Sequence, residues 1–266
     1  MNVGIVGAGT IGEFLIKGLK DDPSFTLVAL AEIDMERGRT VLKESGYPES
    51  LLMPLEKFPA KTDVYVEAAS GAVAGTVAKW ALQKGKIAII ASIGGLGDLD
   101  EYRAIAEKTG GRLILPSGAI AGLDALKAIP PQSIASVTLM TTKPAKTLAD
   151  AEYVREKGMD LLKLTEPTIV FSGTAREAAK AFPRSINVAA ALAHATIGLD
   201  RTRVEMWAEP LGDRNRHTIR VESGHGMLIM DISNVPFERN PATSRLAAYS
   251  ILATVRGLTR PVIVGT

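Results

Sequence analysis

The chain opens on a short apolar strand, Val3-Gly4-Ile5-Val6, that runs straight into Gly7-Ala8-Gly9-Thr10-Ile11-Gly12. A second apolar run, Phe25 to Ala31, follows and ends beside two acids, Glu32 and Asp34. The order strand, G-x-G-x-x-G, helix, strand, acid constrains the fold more than any other feature, because it is the layout of a dinucleotide-binding βαβ unit. Each glycine has a separate task. Gly7 permits the tight strand-to-helix turn, Gly9 lets the backbone approach a pyrophosphate, and Gly12 lets the helix pack against the strand. The phosphates are expected on the amides of Ala8 to Ile11, at a helix start where the dipole favours negative charge. An acid about 20 residues further on accepts hydrogen bonds from the ribose hydroxyls. Glu32, directly after the strand, is the better placed of the two, and Asp34 is also read as the cap of a helix over Met35 to Glu44. Ile33 occupies a position where a 2′-phosphate reader often carries Arg. NAD is therefore expected over NADP, with Arg37 and Arg39 close enough in sequence to permit both.

Three further strands are expected at Asp63–Ala69, Lys86–Ala91 and Arg112–Pro116, separated by helical spacing over Val73–Lys84 and Asp98–Lys108. Alternation of this kind predicts a doubly wound parallel sheet, which takes ligands at the carboxyl ends of its strands. Those ends carry Gly7-Ala8-Gly9, Ala68-Ala69-Ser70-Gly71, Ala91-Ser92-Ile93-Gly94 and Pro116-Ser117-Gly118-Ala119. All four are small, as a surface beneath a flat nicotinamide and its ribose must be, so Ala69 and Ser70 join the cofactor candidates. The plainer reading is that small residues only shorten turns, and four such loops in register weigh against it.

The pattern changes near residue 120. A linking helix over Ile120–Ile129 leads into strands at Ser133–Thr142, Thr168–Gly173, Arg203–Glu209, His217–Ser223 and Met227–Ser233, the last two flanking a Gly224-His225-Gly226 turn. Ser185–Ile197 reads as an alanine-rich helix, and Asn240-Pro241-Ala242-Thr243 as the start of a helix over Ser244–Arg256. The fold expected is α/β: a Rossmann domain over 1–120, joined by the C-terminal segment 243–266, and an α+β domain over 121–242 built on an open, mixed, mostly antiparallel sheet. In this reading Pro261–Val264 returns to the first domain.

A hydrophobic content of 46% in 266 residues supplies a substantial core, and the net charge of +2 comes from well-mixed acids and bases. Nucleic acid and anionic membrane are not expected as partners. The absence of cysteine removes disulfides, thiolate nucleophiles and Cys-ligated zinc, and no metal site is expected. The short, interrupted apolar runs predict neither a signal peptide nor a membrane span, hence a cytoplasmic protein.

A nicotinamide enzyme acting on an alcohol or amine needs a group to handle the accompanying proton, and the three histidines come first to hand. His194 shares a helical face with Asn187, but a packed or surface histidine is the simpler account, and His225 lies in a turn. His217 starts a strand just after Asp213-Arg214-Asn215-Arg216, where a carboxylate would orient the imidazole and an arginine would hold an acidic substrate. Spacing alone leaves it open between catalysis and structure. Lys143 and Lys163 are weaker alternatives, since most lysines face solvent.

Taken together, Gly7 to Gly12, Glu67-Ala-Ala-Ser70, Pro116 to Ala125, Pro183 to Ala190, Asp213 to His217 and Asn240 to Ser244 resemble the L-aspartate dehydrogenase family, of the type that supplies iminosuccinate for NAD biosynthesis. The resemblance spans nearly the whole chain in order. It implies cofactor contacts at Ala121 and Asn187, a catalytic role for His217, and a homodimer formed through the second domain, whose mixed sheet is similar to that of dihydrodipicolinate reductase. The implied reaction converts L-aspartate, NAD(P)+ and water to oxaloacetate, ammonium and NAD(P)H through iminosuccinate, with the reverse reductive amination also open. For the two substrate carboxylates, Ser117 and the helix start at Thr243 and Ser244 are the first places to look, against an ordinary N-cap as the plainer account. The rivals are another two-domain dehydrogenase or reductase, such as one like dihydrodipicolinate reductase, and a non-catalytic NAD-binding redox sensor.

Overall fold

The computed structural model describes residues 1–183, 185–238 and 240–265, with nothing stated for the side chains of Pro241 and Ala242. Of the motifs quoted above, Arg184 therefore lies outside the described residues. The chain forms two compact units, one comprising Met1–Pro116 and Ala248–Pro261, the other Ser117–Ala247 and the residues from Val262 on.

In the first unit β1 (Asn2–Val6), α1 (Thr10–Leu19), β2 (Thr26–Ala31), α2 (Met35–Glu44), β3 (Val64–Glu67), α3 (Gly71–Gln83), β4 (Ile87–Ile90), α4 (Asp100–Thr109) and β5 (Arg112–Ile114) alternate along the chain. All four strand pairings are parallel, in the order β2-β1-β3-β4-β5. The strands are near-continuous apolar runs because both faces are covered. One face, carrying Val3, Ile5, Val64, Val66 and Ile89, packs against α1, α2 and Ile251, Leu252 and Val255 of the C-terminal helix. The opposite face, with Val6, Tyr65, Ala88 and Ile90, packs against α3 and Tyr102 of α4. The order reverses at β1, between β2 and β3, which is where such sheets leave a crevice for a ligand.

The second unit comprises α5 (Leu123–Ala128), β6 (Ile134–Pro144), α6 (Ala145–Leu148), α7 (Glu152–Glu156), β7 (Thr168–Thr174), α8 (Ala175–Ala181), α9 (Asn187–Ala195), β8 (Arg203–Glu209), β9 (Asn215–Ser223), β10 (Gly226–Asn234), β11 (Pro236–Phe237) and β12 (Asn240–Ser244), after which α10 (Arg245–Gly257) belongs from Ala248 on to the first unit. Its five-stranded sheet has the order β10-β9-β6-β8-β7, antiparallel throughout except for the parallel β6–β8 pair. One sheet face buries Val137, Leu139, Val204, Met206, Ile219 and Val221, whereas Met140, Ile169, Met227 and Ile229 point to the other and are exposed. Helix α8 opens on a capping box: Thr174 Oγ1 accepts from the Glu177 amide while the Glu177 carboxylate accepts from the Thr174 amide.

Two expectations fail. Asn240–Ser244 is not a helix start but strand β12, paired antiparallel with β11 (Phe237↔Asn240, Pro236↔Ser244), and the helix begins at Arg245. The Asn-Pro-Ala-Thr run has the composition of a helix N-terminus, but pairing to a nearby strand overrides that local preference. Val262, Ile263 and Val264 form no strand and are exposed, and they group with the second unit rather than the first. No described helix is long and apolar enough to cross a membrane.

Candidate active site

At the carboxyl end of β1 the three glycines differ in what surrounds them. Gly7 has φ +103°, and a Cβ there would stand 2.6 Å from the Ala68 carbonyl oxygen, so the β1 turn lies against the chain leaving β3. At Gly12 a Cβ would come within 2.0 Å of the Gly7 carbonyl oxygen, which makes this glycine the contact between α1 and its own strand. Gly9 has an ordinary φ of −71° and would meet nothing within 4 Å. Space is thus left beside Gly9 at the first turn of the ten-residue helix α1, which Thr10 and Ile11 begin. That is the cradle a dinucleotide pyrophosphate requires.

Glu32 sits where a ribose acceptor belongs, and it is already bonded. Its Oε2 accepts from the Ala8 amide at 2.7 Å, and its Oε1 accepts from the Asp34 amide at 3.0 Å and from Arg37 at 2.8 Å. Burial opposes ionisation of this carboxyl, but the bonds from Arg37, Ala8 and Asp34 outweigh it and hold the pKa below its ordinary value. Asp34 caps α2, its Oδ1 accepting from the Arg37 amide at 3.0 Å.

Glu67, at the end of β3, is a residue to which the sequence offered no role. It is fully buried, and burial raises its pKa. One carboxylate oxygen accepts from the Ala69 amide and the Ser92 hydroxyl, and the other from the Ser92 amide, at 2.8 to 3.0 Å. It therefore ties the loop carrying Ala69 and Ser70 to the loop after β4. Ser70 itself is exposed and stands at the N-cap of α3.

In the second unit His217 lies on β9 with only 4% of its surface exposed, cross-strand from Thr141 of β6. The Thr141 hydroxyl is 3.1 Å from Nδ1. The carboxylate partner expected from Asp213 is not there: Asp213 pairs with Arg214 at 3.6 Å on the exposed loop, and Arg216 is exposed. Alternation along β9 turns Arg216 to the face opposite His217, and Asp213 lies in the loop before the strand begins at Asn215, so the strand does not carry it along with the imidazole. Burial first, and the charge of Lys143 second, pull the His217 pKa down to about 3. Lys143, two residues beyond Thr141 on β6, is itself 8% exposed, and burial lowers its pKa to about 8. Its Nζ donates to Ser185 Oγ at 3.0 Å.

The remaining candidates separate by position. Ser117 and Ala121 lie in the loop before α5, and this loop reaches β10, because Asn234 Nδ2 donates to the Ala119 carbonyl at 2.9 Å and a Cβ at Gly122 would strike Met230. Met230 and Ile232 pair with Ile219 and His217, so the loop and the imidazole share one sheet face. Asn187 is the exposed first residue of α9, and Ser185 precedes it by two. Thr243 and Ser244 lie in β12, which removes the helix-start argument for them as an anion site. His194 is on α9, and His225 is exposed in the β9–β10 turn. Lys163 is exposed and paired with Asp160. Among the described residues no cluster of three His, Asp or Glu side chains is arranged to hold a metal ion.

Residues 124–258 match the family model described as aspartate dehydrogenase, C-terminal. The chain belongs to the aspartate dehydrogenase family. Residues 7–116 match a second model, described as the NAD-binding domain of homoserine dehydrogenase. The L-aspartate dehydrogenase of Bradyrhizobium diazoefficiens is 38% identical over all of this chain and 94% of its own length, and that of Methanosarcina mazei is 36% identical with both chains fully covered. Among solved structures, the aspartate dehydrogenase of Thermotoga maritima superposes with a TM-score of 0.80 at 29% identity, covering 100% of this chain and 99% of its own. A hyperthermophilic archaeal homoserine dehydrogenase in complex with NADPH, at 12% identity and TM-score 0.59 over 98% of each chain, shares the fold alone.

The glycine geometry separates a packing role from a ligand role. Gly12→Ala is expected to lower the urea midpoint, destabilising by about 3 kcal/mol through the backbone clash. Gly9→Ala is expected to leave the midpoint within about 0.5 kcal/mol of the parent's and to weaken dinucleotide binding in a fluorescence titration. Equal effects of the two substitutions on both readouts would contradict this division.

Proposed function

We propose that the protein is an NAD(P)-dependent L-aspartate dehydrogenase, forming iminosuccinate and then oxaloacetate and ammonium, or running the reverse amination. The observation that carries the reading is a buried imidazole beside a buried lysine in a chain whose other unit holds an open glycine cradle. Gly7 to Gly12 are assigned to the pyrophosphate, Glu32 with Asp34 to the ribose end, and Ala69, Ser70, Ala121 and Asn187 to the rest of the cofactor. When bound, the dinucleotide accepts the hydride released from Cα of the substrate. Steady-state oxidation of NADH or NADPH with oxaloacetate and high ammonium tests the assignment, and absence of turnover would overturn it.

His217 is assigned the proton. The Thr141 hydroxyl can either donate to Nδ1 or accept from it, and the proposal assigns the tautomer in which Nδ1–H donates, which leaves the lone pair on Nε2, the form a general base needs. The water that adds to the imine carbon gives its proton to this nitrogen, and the resulting hydroxyl-bearing carbon then expels ammonia. A pKa near 3 makes the free imidazole a weak base, but a bound dicarboxylate adds negative charge beside it and raises that value again.

The proposal includes a homodimer formed through the exposed face of the second sheet. Met140, Ile169, Trp207, Met227 and Ile229 share that face across four strands, interleaved with Thr218, Arg220 and Glu222 of β9, the mix of apolar and polar groups that a protein contact carries. Residence in the cytoplasm belongs to the same reading, since nicotinamide dinucleotides and free aspartate are pooled there.

Four measurements check these assignments. His217→Ala is expected to lower kcat by about two to four orders of magnitude with cofactor affinity kept. Because the free-enzyme imidazole stays neutral at every pH above about 3, kcat/KM is expected to show no inflection near 6.5, and one that His217→Ala removes would count against the assignment. Glu32→Arg removes a ribose acceptor and frees Arg37 for a 2′-phosphate, so cofactor titration is expected to show preference moving toward NADP by about tenfold or more. Ile229→Asp is expected to shift the protein from dimer to monomer in light scattering, and a parent protein that is already monomeric would remove the dimer from the proposal.

A further inference from the structure

We propose that Lys143 and Ser185 form the subsite for the side-chain carboxylate of the substrate, and that this subsite selects a dicarboxylic amino acid over a neutral one. The inference rests on the function proposed above and adds to it an anchor that the glycine motif, the histidine and the acid after β2 do not provide. Lys143 lies two residues from Thr141 along β6, so the two side chains emerge on the same sheet face. Thr141 is in turn the cross-strand partner of His217, which places ammonium and imidazole as neighbours on that face. Two strand residues span about 6.5 Å, a separation that suits the two functional ends of a four-carbon substrate.

The surroundings of Lys143 make it an unusual lysine. Only 8% of it is exposed, and its lowered pKa has burial as its cause, with no carboxylate contribution among the described residues. The one hydrogen-bond acceptor described for Nζ is the neutral Ser185 hydroxyl, whereas an ammonium has three donors to place. A buried cation without a counter-charge costs stability, and an apolar side chain of similar length would suit the sheet face better. Folding therefore does not account for it, but an anionic ligand does. Lys143 and Ser185 also line a cavity of about 1020 Å³ whose rim carries both signs of charge, Arg155 and Lys180 standing with Asp150, Glu152, Glu156 and Glu177, and Lys143 is the buried charged group among them. Ser185 stands two residues ahead of Asn187, so the serine that orients the ammonium lies on the same short segment as an assigned cofactor residue.

This subsite differs in kind from Ser117, Thr243 and Ser244. Hydroxyls alone offer hydrogen bonds to any polar ligand, whereas a desolvated ammonium discriminates by charge, because bonds between charged groups are about twice as strong as neutral ones.

The test compares Lys143→Met and Lys143→Arg with the parent enzyme. Lys143→Met is expected to raise KM for L-aspartate by about 10- to 100-fold, and to weaken competitive inhibition by succinate to the same extent. Inhibition by butyrate, which lacks the second carboxylate, is expected to change by less than about threefold, and Lys143→Arg is expected to recover part of the succinate affinity. The melting temperature of Lys143→Met is expected to match or exceed the parent's, since the substitution removes an unpaired buried charge. A merely structural lysine would lower it. A parent that fails to turn over aspartate sinks the proposed function itself. A parent that turns it over, with a Lys143→Met variant whose aspartate KM and succinate inhibition stay within twofold, or whose loss falls on kcat alone, overturns the subsite.

Discussion

Everything in the first unit is organised around one close approach of backbone to backbone. The turn after β1 lies so near the chain leaving β3, and α1 so near the turn, that side-chain carbons at Gly7 and Gly12 would overlap carbonyl oxygens. That contact sets the direction of α1, opens its first amides toward the crevice where the strand order reverses, and brings Ala8 within reach of Glu32. Without it the sheet would still have an apolar core, but not the open turn beside Gly9.

Besides the buried tyrosines, four ionisable side chains among the described residues are buried or nearly so, and the protein treats each differently. Glu67 is surrounded by amides and a hydroxyl that take up its lone pairs, and it links two loops. Glu32 is held ionised by a guanidinium and two amides. His217 avoids the cost of burial by remaining neutral, with one nitrogen against a threonine. Lys143, its pKa lowered only to about 8, is the one of the four left charged at neutral pH against a neutral partner. Buried polar groups are normally satisfied within the fold, so the exception points to a ligand. The lysine and the imidazole are also coupled, since the charge on one helps keep the other unprotonated.

How much of this the sequence disclosed follows from the range of the interactions. The order of strand, glycines, helix and acid is local, and β1, β2, the helix Met35–Glu44 and the strand Arg203–Glu209 are legible from apolar spacing. Asn240–Ser244 misleads because its helix-start composition is local while its strand partner is supplied by a turn. The short helix α8 is overlooked although Thr174 and Glu177 stand at capping-box spacing, a signal that was available. Glu67 is visible only as an acid in an apolar strand, and its role appears once Ser92, 25 residues later, is seen to donate to it.

The sequence by itself determined the class of molecule: a parallel nucleotide-binding sheet followed by a mixed sheet, a dinucleotide cradle, and His217 as one of three histidines to weigh. Tertiary structure decided what surrounds that histidine. Thr141 and His217 are 76 residues apart and meet only because β6 and β9 pair in one register. Register is a property of the assembled sheet, in which a slip of one residue would send every one of these side chains to the opposite face. The same pairing exchanged the expected acid, Asp213, for a hydroxyl, and turned Lys143 from one lysine among many into a buried cation beside the imidazole.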